Sequence, residues 1–209
     1  VFQFAVGSGI AGLEVATDGN RHDIFEGYAL GAKLAIGGDD SILVFMHDDV
    51  ELEFNMVALR RALKLFEKDG VGLVGVAGST SMPENGCWWT APNSHLRGAV
   101  SHPSDNRPFG RHTNCWPDKA ALFGEVLVVD GCFFMIKRKV FDDIGGFEGL
   151  PYKGFHFYDM DLSMRASMRG YVNYVAPLPI FHHSIGVPND NWEQNRQLFL
   201  TRFPALVGV

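Results

Sequence analysis

The sequence predicts an α/β protein with a mostly parallel sheet and helices on both faces. Short apolar runs, such as Ile42–Met46, Val71–Ala77 and Val126–Val129, alternate with segments whose apolar residues recur at helical spacing. The runs are continuous, as in strands covered on both sides. Several of them stop at acidic residues, where open α/β sheets place their ligand crevice.

Taken in order, Val1–Val6 reads as a strand broken by Gly7-Ser8-Gly9, and Leu13–Ala16 resumes an extended run ending at Thr17-Asp18-Gly19-Asn20. Asp18 fits a ligand contact at the sheet edge and equally a turn before glycine. Ile24–Ile36 predicts a helix, with Ile24, Tyr28, Leu30 and Leu34 on its apolar face and Gly37-Gly38 after it.

Ile42–Met46 predicts a strand buried on both faces, ending at His47-Asp48-Asp49. Carboxylates there are hard oxygen ligands for Mg²⁺ or Mn²⁺, and such an ion holds a diphosphate. The competing reading is an Asp-Asp turn that caps the next helix. That helix spans about Met56 to Lys68, with Met56, Leu59, Leu63 and Phe66 on one stripe. Gly70 ends it, and Val71–Ala77 is the next buried strand.

Between Gly78 and Lys119 regular patterning fails, with Pro83, Pro92, Pro103, Pro108 and Pro117 as punctuation. A loop of this length in a compact domain is usually functional or mobile. Trp88, Trp89 and Trp116 within it suit stacking on sugar rings, or anchoring of the loop to the core. His95, His102, His112 and Cys115 are zinc-ligand types, but only His112 and Cys115 are tightly spaced, which argues against zinc.

Val126–Val129 predicts a strand ending at Asp130-Gly131, where the glycine lets a ligand approach the backbone. Phe133–Ile136 continues extended, and Arg138–Ile144 is a short helix ended by Gly145-Gly146. Asp159–Arg169 is the next helix, ended by Gly170. Asp161 is spaced to pair with Arg165 as an exposed helix pair worth about 0.5 kcal/mol, leaving Asp159 to face the cleft. The helix dipole lowers the pKa of Asp159, and burial near Phe155 and Phe157 raises it; the sequence leaves the balance open. Tyr171–Ala176 is extended. His182 and His183 then point opposite ways, so one of them at most meets the sheet-end crevice. Trp192–Phe203 is an amphipathic helix.

Composition narrows the function. The 24 acidic residues outnumber 18 basic ones, for a net charge of −6, which argues against a nucleic-acid or anionic-membrane surface. No apolar run reaches the roughly 18 residues of a transmembrane helix, and no signal peptide is visible. Cys87, Cys115 and Cys132, odd in number and widely spaced, fit reduced thiols in a cytoplasmic protein.

An ordered set of motifs gives these pieces a common frame. His47-Asp48-Asp49, Asp130-Gly131, Ile144-Gly-Gly-Phe147, Tyr158-Asp-Met-Asp-Leu162 with Arg165 and Gly170, and His182-x-Ser184 resemble glycosyltransferase family 2 in order and spacing. More narrowly they resemble a bacterial and phage-type branch with a His-x-Asp-Val strand end and a Phe-His-Phe-Tyr-Asp block. The resemblance runs from roughly residue 12 to roughly residue 200.

It implies a GT-A (Rossmann-like) fold as a single domain over 1–209, with 78–119 as a lid and 190–209 as a C-terminal helix and tail. Against that pattern the N-terminal β-α segment that completes the nucleotide pocket is expected to be short or missing. It further implies a nucleoside-diphosphate sugar donor, Mn²⁺ or Mg²⁺, and an inverting, hexosyltransferase-type displacement onto a hydroxyl of a saccharide or other acceptor. By the same resemblance Asp49, His182 and His47 are metal ligands, and Asp159 is the catalytic base. Asp18, Asp48, Asp130 and Gly131 bind the donor, while Trp88, Trp89 and His156 face the sugar or acceptor. The chain departs from the family pattern at His47, where many members have Asp, at Tyr158, where Glu is common, and at Ala29, where Asn is common. Two rival readings use the same residues: a carbohydrate-binding GT-A-like protein without turnover, and a metal-dependent nucleotidyltransferase or hydrolase.

Overall fold

The computed structural model describes residues 22–103, 111–116, 123–184 and 190–208, with the backbone alone at 111, 112, 114–116 and 190. Asp18 and the extended runs predicted around it lie outside the described residues, as do the side chains of His112, Cys115 and Trp116.

Helix α1 spans Ile24–Leu34. Its N-cap, Asp23, accepts from the Glu26 amide at 3.0 Å, the sort of cap worth about 1 kcal/mol. The other Asp23 oxygen accepts from the Gly154 amide at 3.3 Å, so the cap also ties α1 to the segment that leads into the later site helix. Strands β1 (Ile42–Met46) and β2 (Val50–Leu52) flank the acidic turn. Helix α2 covers Met56–Leu63, with Asn55 capping two amides, and tightens into a 3₁₀ turn over Lys64–Glu67. The run at 71–77 divides into β3 (Val71–Gly75) and β4 (Ala77–Ser79). After a 3₁₀ turn at Trp88–Thr90 come β5 (Leu96–Pro103) and β6 (Arg111–Trp116). The run at 126–129 likewise divides between β7 (Gly124–Val126) and β8 (Val128–Val129). Strand β9 (Phe133–Lys137), helix α3 (Arg138–Asp143), helix α4 (Tyr158–Met168), strands β10 (Val172–Val175) and β11 (Ile180–His182), and helix α5 (Asp190–Arg202) complete the chain.

Two sheets result. One runs β1-β9-β3-β10-β7, the other β2-β11-β5-β4-β8 with β6 added on β5. The α/β class holds, but the strand directions are mixed. Among the described pairings only β3–β10 and β5–β11 are parallel; the others are antiparallel. The reason is local. Apolar runs do not encode direction, and the runs at 71–77 and 126–129 each cross from one sheet to the other at a single residue, Val76 or Leu127. Short strands that switch sheets in this way pair antiparallel without a helical crossover.

Two further expectations change. Strand β1 is not covered on both faces: Leu43 and Phe45 are buried, while Val44 is 40% exposed. Among the described residues β1 has one strand neighbour, β9. The 78–119 stretch is not a bare loop, because β5 and β6 pair in register from Gly98↔Trp116 to Pro103↔Arg111. Its period-2 signal is present in the burial alternation of Leu96, Gly98 and Val100 against Arg97, Ala99 and Ser101. The glycine obscures that alternation in the sequence, yet is required. Gly98 has φ +102°, and a Cβ there would lie 2.0 Å from the Val76 carbonyl oxygen.

Aromatic packing positions the site. Phe45 stacks on Phe134 at 5.0 Å and meets Phe147 edge-on at 5.4 Å; Tyr28 meets Phe45 at 5.0 Å and Tyr158 at 5.5 Å. Such pairs contribute about 0.5–1.5 kcal/mol each beyond area burial. They fix the end of β1 against the start of α4. Helix α4 is itself buried from Tyr158 to Met164 and packs on β3, β8 and β10.

Candidate active site

Three chain reversals meet where β1, β9 and β11 begin or end. The His47 amide donates to the Cys132 carbonyl at 3.1 Å, and the His183 amide to the Asp49 carbonyl at 3.0 Å. These two bonds set the 47–49 turn between the 130–132 turn and the end of β11. His182 is buried and turned into this junction, whereas His183 is exposed and reaches Glu51 at 2.8 Å. The period-2 expectation for the two histidines is met.

His47, Asp49 and His182 each offer a ligand atom, and the three atoms lie within 4.8 Å of one another. His182 Nε2 is 3.3 Å from His47 Nδ1, 3.2 Å from Asp49 Oδ1 and 3.2 Å from Ser184 Oγ. A ring nitrogen has one lone pair or one proton, so it cannot satisfy three such neighbours together. Two imidazole nitrogens and a carboxylate converging this way fit a divalent cation. The electrostatics agree. Burial pushes the His47 pKa down to about 4 against the raising influence of Asp130, and burial also lowers His182. Both rings are therefore neutral near pH 7, the form that ligates metal. For Asp49 burial opposes ionisation, but the Ser184 bond and the two histidines outweigh it and hold its pKa below the ordinary value.

Asp159 stands at the mouth of α4. The residue before Tyr158, Phe157, has φ 75°, the one positive φ among the described non-glycine residues. A buried phenylalanine in that conformation is costly and marks a place where the backbone has been bent to aim side chains. Asp159 is buried, and desolvation followed by repulsion from Asp130 raises its pKa to about 7. Backbone N–H groups of Met160, Asp159 and Gly131 pull the other way. Burial thus prevails over the helix terminus.

Gly131 is close to both. A Cβ on it would lie 2.2 Å from Tyr158 Oη and 3.0 Å from Asp159 Cβ, so no larger residue fits. Asp130 Oδ1 accepts from the Cys132 amide at 2.9 Å, and its charge is felt by Asp159, His47 and His182. Asp48 is exposed at the tip of the 47–49 turn.

His156 is half-buried; its Nε2 has no hydrogen-bond partner among the described residues, and burial lowers its pKa. Trp88 does not meet its expectation as a sugar platform. It is 4% exposed and packs edge-on against Trp89, so it anchors the segment to the core. Trp89 is 45% exposed.

Asp161 departs from its expectation as an exposed pair. It is fully buried and accepts from Arg165 Nε at 2.5 Å, Tyr152 Oη at 2.7 Å and Arg202 Nε at 2.8 Å. Arg165 also donates to the carbonyls of Ile144 and Gly146. The network binds α4, α5 and the Ile144–Phe147 turn together.

Three site residues carried no role in the sequence reading. Ser184 donates its amide to Asp49 Oδ2 at 3.1 Å and places its hydroxyl on His182. His102, at the end of β5, donates from Nδ1 to the Ser184 carbonyl at 3.1 Å, with its ring 5.5 Å from that of His182. Tyr158 Oη is 2.5 Å from His47 Nε2. The alternation in β5 is the signal that would have put His102 at a strand end.

Residues 19–203 match the profile of a family described as glycosyltransferase-like. The chain is 28% identical over 177 residues to streptomycin biosynthesis protein StrF of Streptomyces griseus, covering 84% of this chain and 58% of that protein. It is 26% identical over 188 residues to a Fuscovulum blasticum protein, ATP synthase subunits region ORF 6, covering 88% of this chain and 68% of that one. Among solved structures it superposes on GalNAc-T7 with UDP, GalNAc and Mn²⁺ at a TM-score of 0.59 and 12% identity, over 90% of this chain and 37% of that one. This superposition assigns the GT-A fold. Among the described residues no helix is long and apolar enough to cross a membrane.

Proposed function

The chain belongs to this glycosyltransferase-like family, and from that premise we propose that it transfers a sugar from a nucleoside-diphosphate donor to an acceptor hydroxyl with inversion. The observation that carries the reading is the convergence of His47, Asp49 and His182, three side chains able to hold a cation, with His47 hydrogen-bonded to Tyr158, the residue before the buried Asp159.

His47, Asp49 and His182 would hold the cation. Two imidazoles with one carboxylate favour Mn²⁺ over Mg²⁺, since Mg²⁺ prefers an all-oxygen shell. When bound, the ion neutralises the diphosphate and improves it as a leaving group. Asp48, exposed at the turn, and Asp130-Gly131, against the α4 mouth, would line the donor side. Asp159 takes the proton from the acceptor hydroxyl. A base of ordinary carboxylate pKa would be weak at neutral pH, whereas one near 7 is matched to it, and such help is worth about 10²–10⁴-fold. A single base of this kind serves a one-step displacement, hence inversion. His156 and Trp89 would meet the sugar or the acceptor. Buried, unbridged Cys87 and Cys132 agree with a cytoplasmic setting.

The test is a screen of sugar nucleotides with Mn²⁺ or EDTA, read by product formation and anomeric configuration. Transfer that needs Mn²⁺ and disappears in Asp49→Ala supports the reading. Donor binding without transfer to any acceptor would make the protein a binding module, and retained configuration would remove the one-step mechanism.

A further inference from the structure

From the hydrogen-bond chain Gly131–Tyr158–His47 we infer that Tyr158 is a positioning residue that fixes the tautomer of His47 and so presents Nδ1 to the metal site. The inference rests on the reading of His47, Asp49 and His182 as a metal site. Proton placement decides the tautomer. The Tyr158 hydroxyl lies 2.9 Å from the Gly131 carbonyl oxygen and 2.5 Å from His47 Nε2. A carbonyl oxygen has no proton to give, so the single hydroxyl proton goes to Gly131. The phenolic oxygen is then an acceptor toward His47, and Nε2 must carry the imidazole proton. Nδ1 is left with its lone pair, 3.3 Å from His182 Nε2. The opposite tautomer would put a proton inside the ligand cluster and face two lone pairs at 2.5 Å.

The surroundings hold this arrangement in one geometry. Tyr158 is buried, with its ring edge-on to Phe25 at 6.2 Å and to Tyr28 at 5.5 Å. Gly131 lets the hydroxyl approach, since a Cβ at that position would stand 2.2 Å from it. The αL backbone at Phe157 turns the chain immediately before it. His47 and Tyr158 are thus directly hydrogen-bonded to each other.

Tyr158→Phe tests this, because it keeps the ring and removes the hydroxyl. The full chain is labelled with ¹⁵N-histidine, and the His47 ring signals are identified by their loss in His47→Gln. In metal-free wild type we expect a protonated Nε2 and a bare Nδ1; in Tyr158→Phe a mixture of tautomers. Mn²⁺ alone, titrated with free ion read by electron paramagnetic resonance, should bind Tyr158→Phe about 10–100-fold more weakly, the scale of lost outer-shell partners. A wild-type His47 protonated at Nδ1 overturns the inference without any variant, even if Tyr158→Phe does not fold. Equal Mn²⁺ affinity in the two proteins, or weaker affinity with an unchanged tautomer, overturns it as well. If wild type binds no Mn²⁺, the metal reading fails and the affinity role of Tyr158 falls with it, while the tautomer assignment is judged separately by the spectrum.

Discussion

Asp161 accepts hydrogen bonds from Tyr152, Arg165 and Arg202. Asp159, two residues earlier on the same helix, is held by backbone N–H groups and faces Asp130. Both carboxylates are buried. One has had its charge compensated on every side, and the other has been placed where its charge is opposed. A buried charge that is fully paired gives rigidity and little reactivity. A buried carboxylate that faces another carboxylate keeps its proton to higher pH in the metal-free chain, and becomes a stronger base than an ordinary one. The difference follows from which side of α4 each residue occupies: 161 looks toward α5 and the Ile144–Phe147 turn, 159 toward Gly131.

The sharpest way to break this comparison is Asp161→Asn. It removes the fully buried anion that Tyr152, the partly buried Arg165 and the exposed Arg202 share, so we expect a loss of about 2–3 kcal/mol in unfolding free energy, measured by urea denaturation. A loss below about 1 kcal/mol would mean that the network is no more than the exposed helix pair of the sequence reading.

The second test acts on the other carboxylate. Asp159→Asn should fold, and bind donor with metal nearly as wild type does, while sugar transfer falls on the order of 10²-fold or more. Single-turnover kinetics checks it. If Asp159→Asn transfers at the wild-type rate and folded Asp161→Asn does not, the two roles are exchanged.

How much of this was readable beforehand depends on the range of the interaction. The i, i+4 spacing of Asp161 and Arg165 is local, and the sequence shows it. Tyr152 precedes Asp161 by nine residues across a turn and Arg202 follows it by forty-one, so neither partner is visible at helical spacing, and burial could not be foreseen. The strand-end residues 47–49, 130–131 and 182 were legible because apolar runs ending in polar side chains point to one sheet edge. The β5–β6 hairpin was not, because Gly98 and Pro103 look like loop residues until the close approach to Val76 is seen. Trp88 was ambiguous for a related reason: a tryptophan serves a sugar face or a core equally well, and only packing decides.

The third test probes the cause of the Asp159 environment without any activity. Its pKa is 3.8 ordinarily and about 7 in the folded chain. Between those values the unfolded chain has released the proton while the native chain still holds it. Native protein then binds more protons than unfolded protein, so this residue's contribution to stability falls as pH rises, by at most about 1.4 kcal/mol per pH unit. Below about pH 4 both states are protonated and the contribution is flat; above about pH 7 both are ionised and the full penalty is present. The amide side chain introduced by Asp159→Asn cannot ionise and keeps an acceptor for the Gly131 and Met160 amides. The stability of Asp159→Asn relative to wild type should therefore climb between about pH 4 and pH 7 and level off above it. Taking the difference between the two proteins cancels the shared titrating groups that do not face position 159, which leaves Asp159 and its neighbour Asp130. Chemical denaturation of both at half-unit pH steps measures it. A difference that stays level across roughly pH 4–8 would show an ordinary carboxylate at position 159, and the assignment of a base poised near neutrality would go with it.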